Sequence, residues 1–242
     1  MEYAVNIQGL KKSFGSNEVL KEINLKLAKG DNIAIIGRSG TGKSVLTKCI
    51  VGLINPDEGE MEVLGKNINK LDYYGLTELR KRIGYLFQGG ALYDSMSVRD
   101  NLEFPLRRTY LAKEDEELNQ KIEDALRDVG LLDAMNKMPS ELSGGMRKRI
   151  ALARTIIMRP EIILYDEPTT GLDPVTSGEI SELIVSIQEK FKTSSIIVTH
   201  DMKCVKITSN QLKLLEGGLF LTEGTYNELS KSDDPNLKAF FS

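Results

Sequence analysis

Two rhythms of apolar residues run along this chain. Ile33-Ala34-Ile35-Ile36, Ile162-Ile163-Leu164-Tyr165 and the centre of Ser195-Ile196-Ile197-Val198-Thr199 are unbroken, the pattern of strands buried on both faces of a parallel sheet. Ile83-Gly84-Tyr85-Leu86-Phe87 reads as a further strand. Between these runs the spacing becomes helical. Val45, Leu46, Cys49, Ile50 and Leu53 form one stripe, and Met146, Ile150, Ala153 and Ile157 recur at i, i+4, i+7 and i+11 of another.

The remaining stretches read differently. Val5 and Ile7, then Val19, Ile23, Leu25 and Leu27, alternate as in an antiparallel β-layer, with Lys12-Ser13-Phe14-Gly15 as the turn between them. Asn55-Pro56-Asp57-Glu58-Gly59 is a turn by its chemistry, Glu60 to Leu64 a strand, and 76–82 a short helix. From Val98 to about Val129 the pattern is helical and polar, and its acidic run Lys113-Glu114-Asp115-Glu116-Glu117 is expected as a solvated first turn. Leu212 to Leu221 predicts a hairpin about Gly217-Gly218, and two short helical pieces follow, ending in Lys238-Ala239-Phe240-Phe241. That tail either packs on its own chain or docks on a partner. Strands alternating with helices, and helices crowded mid-chain, predict one α/β domain: a core of about 1–88 and 159–242 and an inserted α-helical subdomain of about 89–158. A chain of 242 residues can bury such a core.

Charge and cysteine content narrow the function classes. A net charge of −3 argues against nucleic acid as a main partner, because phosphate backbones need a concentrated basic face. The longest basic cluster, Arg147-Lys148-Arg149, reads as a solvated helix face. Cys49 and Cys204 are the only cysteines, and both sit in apolar helical contexts, as expected of a reduced cytosolic chain. No apolar run approaches the ~18 residues needed to span a bilayer, and the N-terminus carries no signal-peptide pattern. Action at a membrane is therefore expected to go through a partner.

The first stretch with chemistry in it is Gly37-Arg38-Ser39-Gly40-Thr41-Gly42-Lys43-Ser44, a G-x-x-x-x-G-K-[ST] phosphate loop placed between a strand and a helix. Its glycines let successive N–H groups point inward, and the helix N-terminus adds partial positive charge. An anionic polyphosphate suits it: Lys43 neutralising the β/γ-phosphates and Ser44 ligating Mg²⁺. The core is thus expected to be of the P-loop NTPase type, with a mostly parallel sheet beside an antiparallel β-subdomain.

Weaker signals lie at other strand ends. Asp166 and Glu167 close a buried strand, where two carboxylates are costly unless they serve a metal or a proton. Strand alternation would let Asp166 face Mg²⁺ and Glu167 a water beside the γ-phosphate. Gln88 can offer its carbonyl oxygen to a metal or its amide to water, or be an ordinary loop amide. His200 is the only histidine, again at a strand end. Ser143-Gly144-Gly145 opens a helix, as an N-cap or as a second anion site. Asp173 before Pro174 caps another helix. Phe14 is either a core residue or a platform for adenine stacking. Ligands bind beyond the carboxyl ends of open α/β sheets, so Gly37, Gln88, Asp166 and His200 converge on one place.

With these stretches in view, the chain resembles the ATP-binding subunit of an ATP-binding-cassette (ABC) transporter along essentially its whole length. The resemblance makes Phe14 the A-loop aromatic, 37–44 Walker A with Val45 behind it, Gln88 the Q-loop, 142–146 the signature, 162–166 Walker B followed by the catalytic Glu167, Gly171-Leu172-Asp173 the D-loop and His200 the switch histidine. It implies an ATPase with ATP and Mg²⁺, working as a head-to-tail homodimer in which Ser143, Gly144 and Gly145 of one copy meet the nucleotide of the other. It also implies an integral permease, with Gly89 to Pro105 as the transmission surface. Met146 departs from the usual Gln of the signature. That departure, Gln88 to Val98, Gly144 to Arg149 and Tyr165 to Pro174 are similar to ATPases of the Mla (maintenance of lipid asymmetry) type, which serve MCE-protein lipid transporters. This implies phospholipid movement between the inner and outer membranes of a Gram-negative bacterium, driven by this chain from the cytoplasmic face of the inner membrane through the permease, with an MCE-domain protein and a small accessory protein as further partners. An importer of a polar solute such as an amino acid shares every catalytic motif. A soluble ABC ATPase of translation or repair is disfavoured by the single Walker A and the lack of heptads, and a non-hydrolysing regulator by the intact Glu167 and His200.

Overall fold

The computed structural model describes residues 2–109 and 115–241. Two sheets organise it. The first is antiparallel, in the order β2-β1-β4-β5, from β1 (Tyr3–Phe14), β2 (Asn17–Ala28), β4 (Glu58–Val63) and β5 (Lys66–Asn67). Strands β1 and β2 are longer than their alternation suggests, because register shifts between Ile7 and Leu10 and between Leu10 and Lys12 break the period of two. The turn between them falls at Gly15-Ser16, leaving Phe14 as the last residue of β1.

The second sheet has the order β10-β9-β3-β8-β7-β6: β3 (Asn32–Ile36), β6 (Ile83–Leu86), β7 (Ile162–Asp166), β8 (Ser194–Val198), β9 (Gln211–Glu216) and β10 (Leu219–Gly224). All pairs are parallel except the β9–β10 hairpin. Every residue of β7 and β8 is buried, as their unbroken apolar runs require. The parallel arrangement puts the carboxyl ends of β3, β8, β7 and β6 side by side. The fold class is therefore the mixed α/β cassette expected.

Helices cover both faces: α1 (Lys43–Ile50), α2 (Tyr73–Arg80), α3 (Val98–Thr109), α4 (Asp115–Asp128), α5 (Gly144–Ile156), α6 (Pro174–Phe191), α7 (Met202–Thr208), α8 (Tyr226–Leu229) and α9 (Pro235–Phe241). Helix α1 ends sooner than its stripe predicts. Gly52 N–H donates to Cys49 O and Leu53 N–H to Lys48 O, a Schellman closure that leaves Leu53 beyond the helix and 53% exposed. The expected acidic turn begins at Lys113 and Glu114, outside the described residues. Buried side chains of α3, α4 and α5 form one cluster with Ile163, Tyr165 and Ile197 of the sheet and with Ile180 and Ile184 of α6. The tail packs on its own chain: Leu237 is buried beside Ile36 and Leu214, and Phe240 and Phe241 lie against the same cluster. No helix among the described residues is long and apolar enough to cross a membrane.

Candidate nucleotide site

Strand β3 runs directly into the phosphate loop. Gly42 holds the N-cap position of α1 at φ 101°, and a Cβ there would stand 2.9 Å from side-chain carbons of Val19 and Leu20, so glycine alone fits both the turn and the strand beneath it. Lys43 is buried, and its Nζ donates to the carbonyls of Gly37 at 2.7 Å and Arg38 at 3.0 Å. Burial holds this ammonium below the usual lysine range, opposed by the carboxylates of Glu167 and Asp166. Arg38, Ser39 and Gly40 are exposed, the Thr41 hydroxyl donates to Arg38 O at 2.9 Å, and Val45 packs against the core.

The loop is joined to the end of β7. Ser44 Oγ donates to Asp166 Oδ1 at 3.0 Å; the Tyr85 hydroxyl donates to Oδ2 at 3.3 Å and pairs with Thr47 Oγ1 at 2.9 Å. A hydroxyl and a carboxylate so placed are hard oxygen ligands that fit Mg²⁺, which takes one or two carboxylates beside substrate phosphates rather than an all-protein cage. Among the described residues no group of three or more His, Cys, Asp or Glu gathers as such a cage. Gln88 lies apart from this pair: its side chain is exposed and hydrogen bonds to none of the described residues, while its backbone carbonyl accepts from Lys148.

Glu167 is held through a single carboxylate oxygen. Its Oε2 accepts from Thr170 Oγ1 at 3.0 Å and Thr199 Oγ1 at 3.3 Å, and lies 2.9 Å from His200 Nδ1. These contacts all use one oxygen, so Oε1 keeps its lone pairs for a ligand or water. The pleat of a strand predicts the separation of Asp166 from Glu167, but the structure achieves it otherwise. Strand β7 ends at Asp166, and Glu167 is left-handed, φ 50°, with its N–H held by Val198 O at 2.8 Å. A non-glycine residue held there costs about 1–3 kcal/mol and persists only where its surroundings over-determine it.

The other predicted residues sit at the edges of this arrangement. Ser143 caps α5, its Oγ accepting from Met146 N–H at 3.2 Å. A Cβ at Gly145 would stand 2.7 Å from Thr176 Cγ2, so the Ser143-Gly144-Gly145 turn packs closely on the start of α6. A cavity of about 370 Å³ lies there, lined by 143–146, 149, 171–173, 176 and 179 and by no residue of 37–44. Asp173 caps α6, with Oδ1 accepting from Val175 and Thr176 N–H, both at 3.0 Å, and Oδ2 from Thr176 Oγ1 at 2.6 Å. Those bonds hold its carboxyl below the usual range. His200 is largely exposed apart from its Glu167 contact. Phe14 is half exposed, which excludes the core reading, and Lys12 Nζ sits 5.4 Å from its ring centroid.

Residues 20–170 match the ABC transporter family. This chain belongs to the ABC transporter ATPases. The cassette is 38% identical over 240 residues, 99% of its length, to 69% of the "probable ribonucleotide transport ATP-binding protein mkl" of Mycobacterium leprae. It is 38% identical over 98% of its length to 89% of the "intermembrane phospholipid transport system ATP-binding protein MlaF" of Haemophilus influenzae. It is 36% identical over 97% of its length to 73% of the "methionine import ATP-binding protein MetN" of Clostridium tetani. In three dimensions the cassette superposes with a TM-score of 0.82 and 32% identity on the ATP-binding cassette MJ0796, a dimer in a post-hydrolysis state bound to ADP and Pi, covering 92% of this chain and 98% of that one. It is an ATPase, and cassettes of this family dimerise and work with membrane permeases.

Three residues of the cassette escaped the sequence reading. Thr170 and Thr199 flank Glu167 and His200 and were legible only as neighbours of motif residues. Lys148 reads in sequence as part of a solvated basic face, yet it is 6% exposed. Its Nζ meets two loop carbonyls at a point that α5 reaches only once packed on the sheet.

Proposed function

We propose that the cassette, in a head-to-tail pair, drives phospholipid transport across a bacterial envelope together with an integral permease and an MCE-domain protein. The observation that carries the catalytic half is the Glu167 arrangement. One carboxylate oxygen is fixed by Thr170, Thr199 and His200, and the other is left to polarise a water. With nucleotide bound, Lys43 would leave the Gly37 and Arg38 carbonyls for the β/γ-phosphates, Ser44 and Asp166 would hold Mg²⁺ with Gln88 from the loop after β6, and His200 would steady the γ-phosphate side. Bound Mg²⁺ supplies charge neutralisation of the triphosphate. Phe14 offers its exposed face to the adenine. Phosphoryl transfer of this kind rests on positioning and electrostatics more than on covalent chemistry.

The pairing follows from what one copy lacks. Ser143, Gly144 and Gly145 line a cavity that excludes the phosphate loop, so within a single chain they have no triphosphate to meet, whereas a second copy placed head to tail brings one. Asp173, at the same edge, would lie at that contact. For the permease, a cavity of about 650 Å³ between α2, α3 and α5 is rimmed by exposed Tyr73, Tyr93 and Phe104, and it adjoins the expected transmission stretch. Such an aromatic groove suits an apolar helical segment of a partner.

The lipid substrate is supported by the likeness to MlaF and by Met146 within Gly144-Gly145-Met146-Arg147-Lys148-Arg149. The likeness to MetN supports a polar-solute importer as the second reading. Deleting the gene and measuring surface-exposed phospholipid, detergent sensitivity and solute uptake separates them. Exposed phospholipid is expected to rise; an intact lipid barrier with lost uptake of one polar solute overturns the lipid reading and keeps the ATPase.

A further inference from the structure

Helix α5 carries two cations, the buried Lys148 and the half-buried Arg154, toward the loop that follows β6. Lys148 Nζ lies 2.5 Å from Gln88 O and 3.3 Å from Glu167 O. Six residues on, Arg154 Nη2 donates to Gly90 O at 2.9 Å, and its guanidinium sits 5.8 Å from the Tyr93 ring centroid. The loop is thus held to α5 at two points about 9 Å apart along the helix. Lys148 alone reaches further, to the backbone of Glu167.

A buried ammonium without a carboxylate in contact is a costly way to fill space, and an apolar side chain of the same length avoids that cost. What the ammonium supplies is directional: a donor for each of two loop carbonyls that converge from β6 and β7. Asp166 and Glu167 offset part of the desolvation of this charge at longer range. Glu167 needs such a restraint, because its left-handed backbone is held at the N–H by Val198 O and at the carbonyl by Lys148 and Thr170 N–H.

We infer that Lys148 is a positioning residue for hydrolysis: it ties the Gln88 loop and the Glu167 backbone to α5, so that the water-polarising carboxylate keeps its place only while the loop and the helix move together. This rests on the proposed role of Glu167. It also makes the cavity between α2, α3 and α5, which Arg154 and Tyr93 line, mechanically continuous with the hydrolytic site.

The test compares Lys148→Met, Lys148→Arg and Glu167→Gln in the full chain, measuring ATP turnover, KM and fluorescent-nucleotide affinity. Misplacing a reacting group by about 1 Å costs on the order of 10²-fold in rate. Lys148→Met is expected to lower kcat by at least about ten-fold with KM and nucleotide affinity within two-fold, and Lys148→Arg, which keeps donors for both carbonyls, to recover to within about three-fold of the parent. Parental kcat in Lys148→Met, or equal losses in Met and Arg variants, overturns the inference. If Lys148→Met does not fold, Lys148→Gln, which keeps an uncharged amide donor group on a shorter side chain, takes its place, with a kcat between those of the parent and Glu167→Gln expected and parental kcat overturning. Glu167→Gln at the parental rate removes the underlying reading instead. An inactive Glu167→Gln beside a fully active Lys148→Met removes only the role given to Lys148.

Discussion

The left-handed backbone of Glu167 permits a test in which the sign alone decides. Replacing Glu167 by Ala and by Gly removes the same carboxylate and the same contacts with Thr170, Thr199 and His200, so the two variants differ only in a methyl group on a backbone at φ 50°. At an ordinary position in a regular element Ala is more stable than Gly by about 0.5–1 kcal/mol, because Gly loses more conformational freedom on folding. In the left-handed region the order reverses, since a Cβ crowds the following carbonyl at a cost of about 1–2 kcal/mol. The net expectation is that Glu167→Gly is the more stable by roughly 0.5–1 kcal/mol. For a chain of this size each kcal/mol moves Tm by about 2–4 °C. Scanning calorimetry of the nucleotide-free proteins should therefore place Glu167→Gly about 1–4 °C above Glu167→Ala, with both variants inactive in hydrolysis. An Ala variant that melts at or above the Gly variant would falsify the claim that this site stores backbone strain.

Other consequences can be checked directly. Glu167→Gln should retain ATP binding, slow turnover at least about ten-fold and accumulate an ATP-bound dimer on size-exclusion chromatography, whereas a parental rate refutes its role. Ser143→Arg should leave nucleotide binding near normal and abolish ATP-dependent dimerisation, while loss of its cap to Met146 N–H costs about 1 kcal/mol; sedimentation showing an intact ATP-induced dimer counts against the head-to-tail arrangement. Removing residues 235–242 uncovers the cluster that Leu237 seals and the edge-to-face contact of Phe241 with Tyr226 at 5.3 Å, so Tm should fall by about 5 °C or more; an unchanged Tm refutes intramolecular packing as the tail's role. Cys49 and Cys204 are fully buried and burial pushes both thiols up to about 11, so a disulfide reagent at neutral pH should titrate neither thiol in the native chain and both after denaturation.

Much of this molecule is legible in its residue order because the deciding physics is local. Unbroken apolar runs mark β3, β7 and β8, since a strand covered on both faces has no solvent side to keep polar. The phosphate loop, the Ser143 cap and the Asp173 cap are short-range geometries in which a glycine or a capping oxygen acts within a few residues. Where local signals were interrupted, the reading failed. Bulges broke the alternation of β1 and β2, and a Schellman turn cut α1 short of Leu53.

What the tertiary structure decided is which polar groups meet. The order β3-β8-β7-β6 places Thr199 and His200 beside Glu167 and Tyr85 beside Asp166, although these residues are separated by 32 to 81 positions in the chain. Phe14 is half exposed rather than buried, which its position in a β-hairpin pattern could not settle. Lys148 could not be told from its neighbours Arg147 and Arg149 by type or spacing. Whether a cation faces water or two loop carbonyls depends on what lies across from it, and that is set by how α5 docks on the sheet, a property no window of sequence contains.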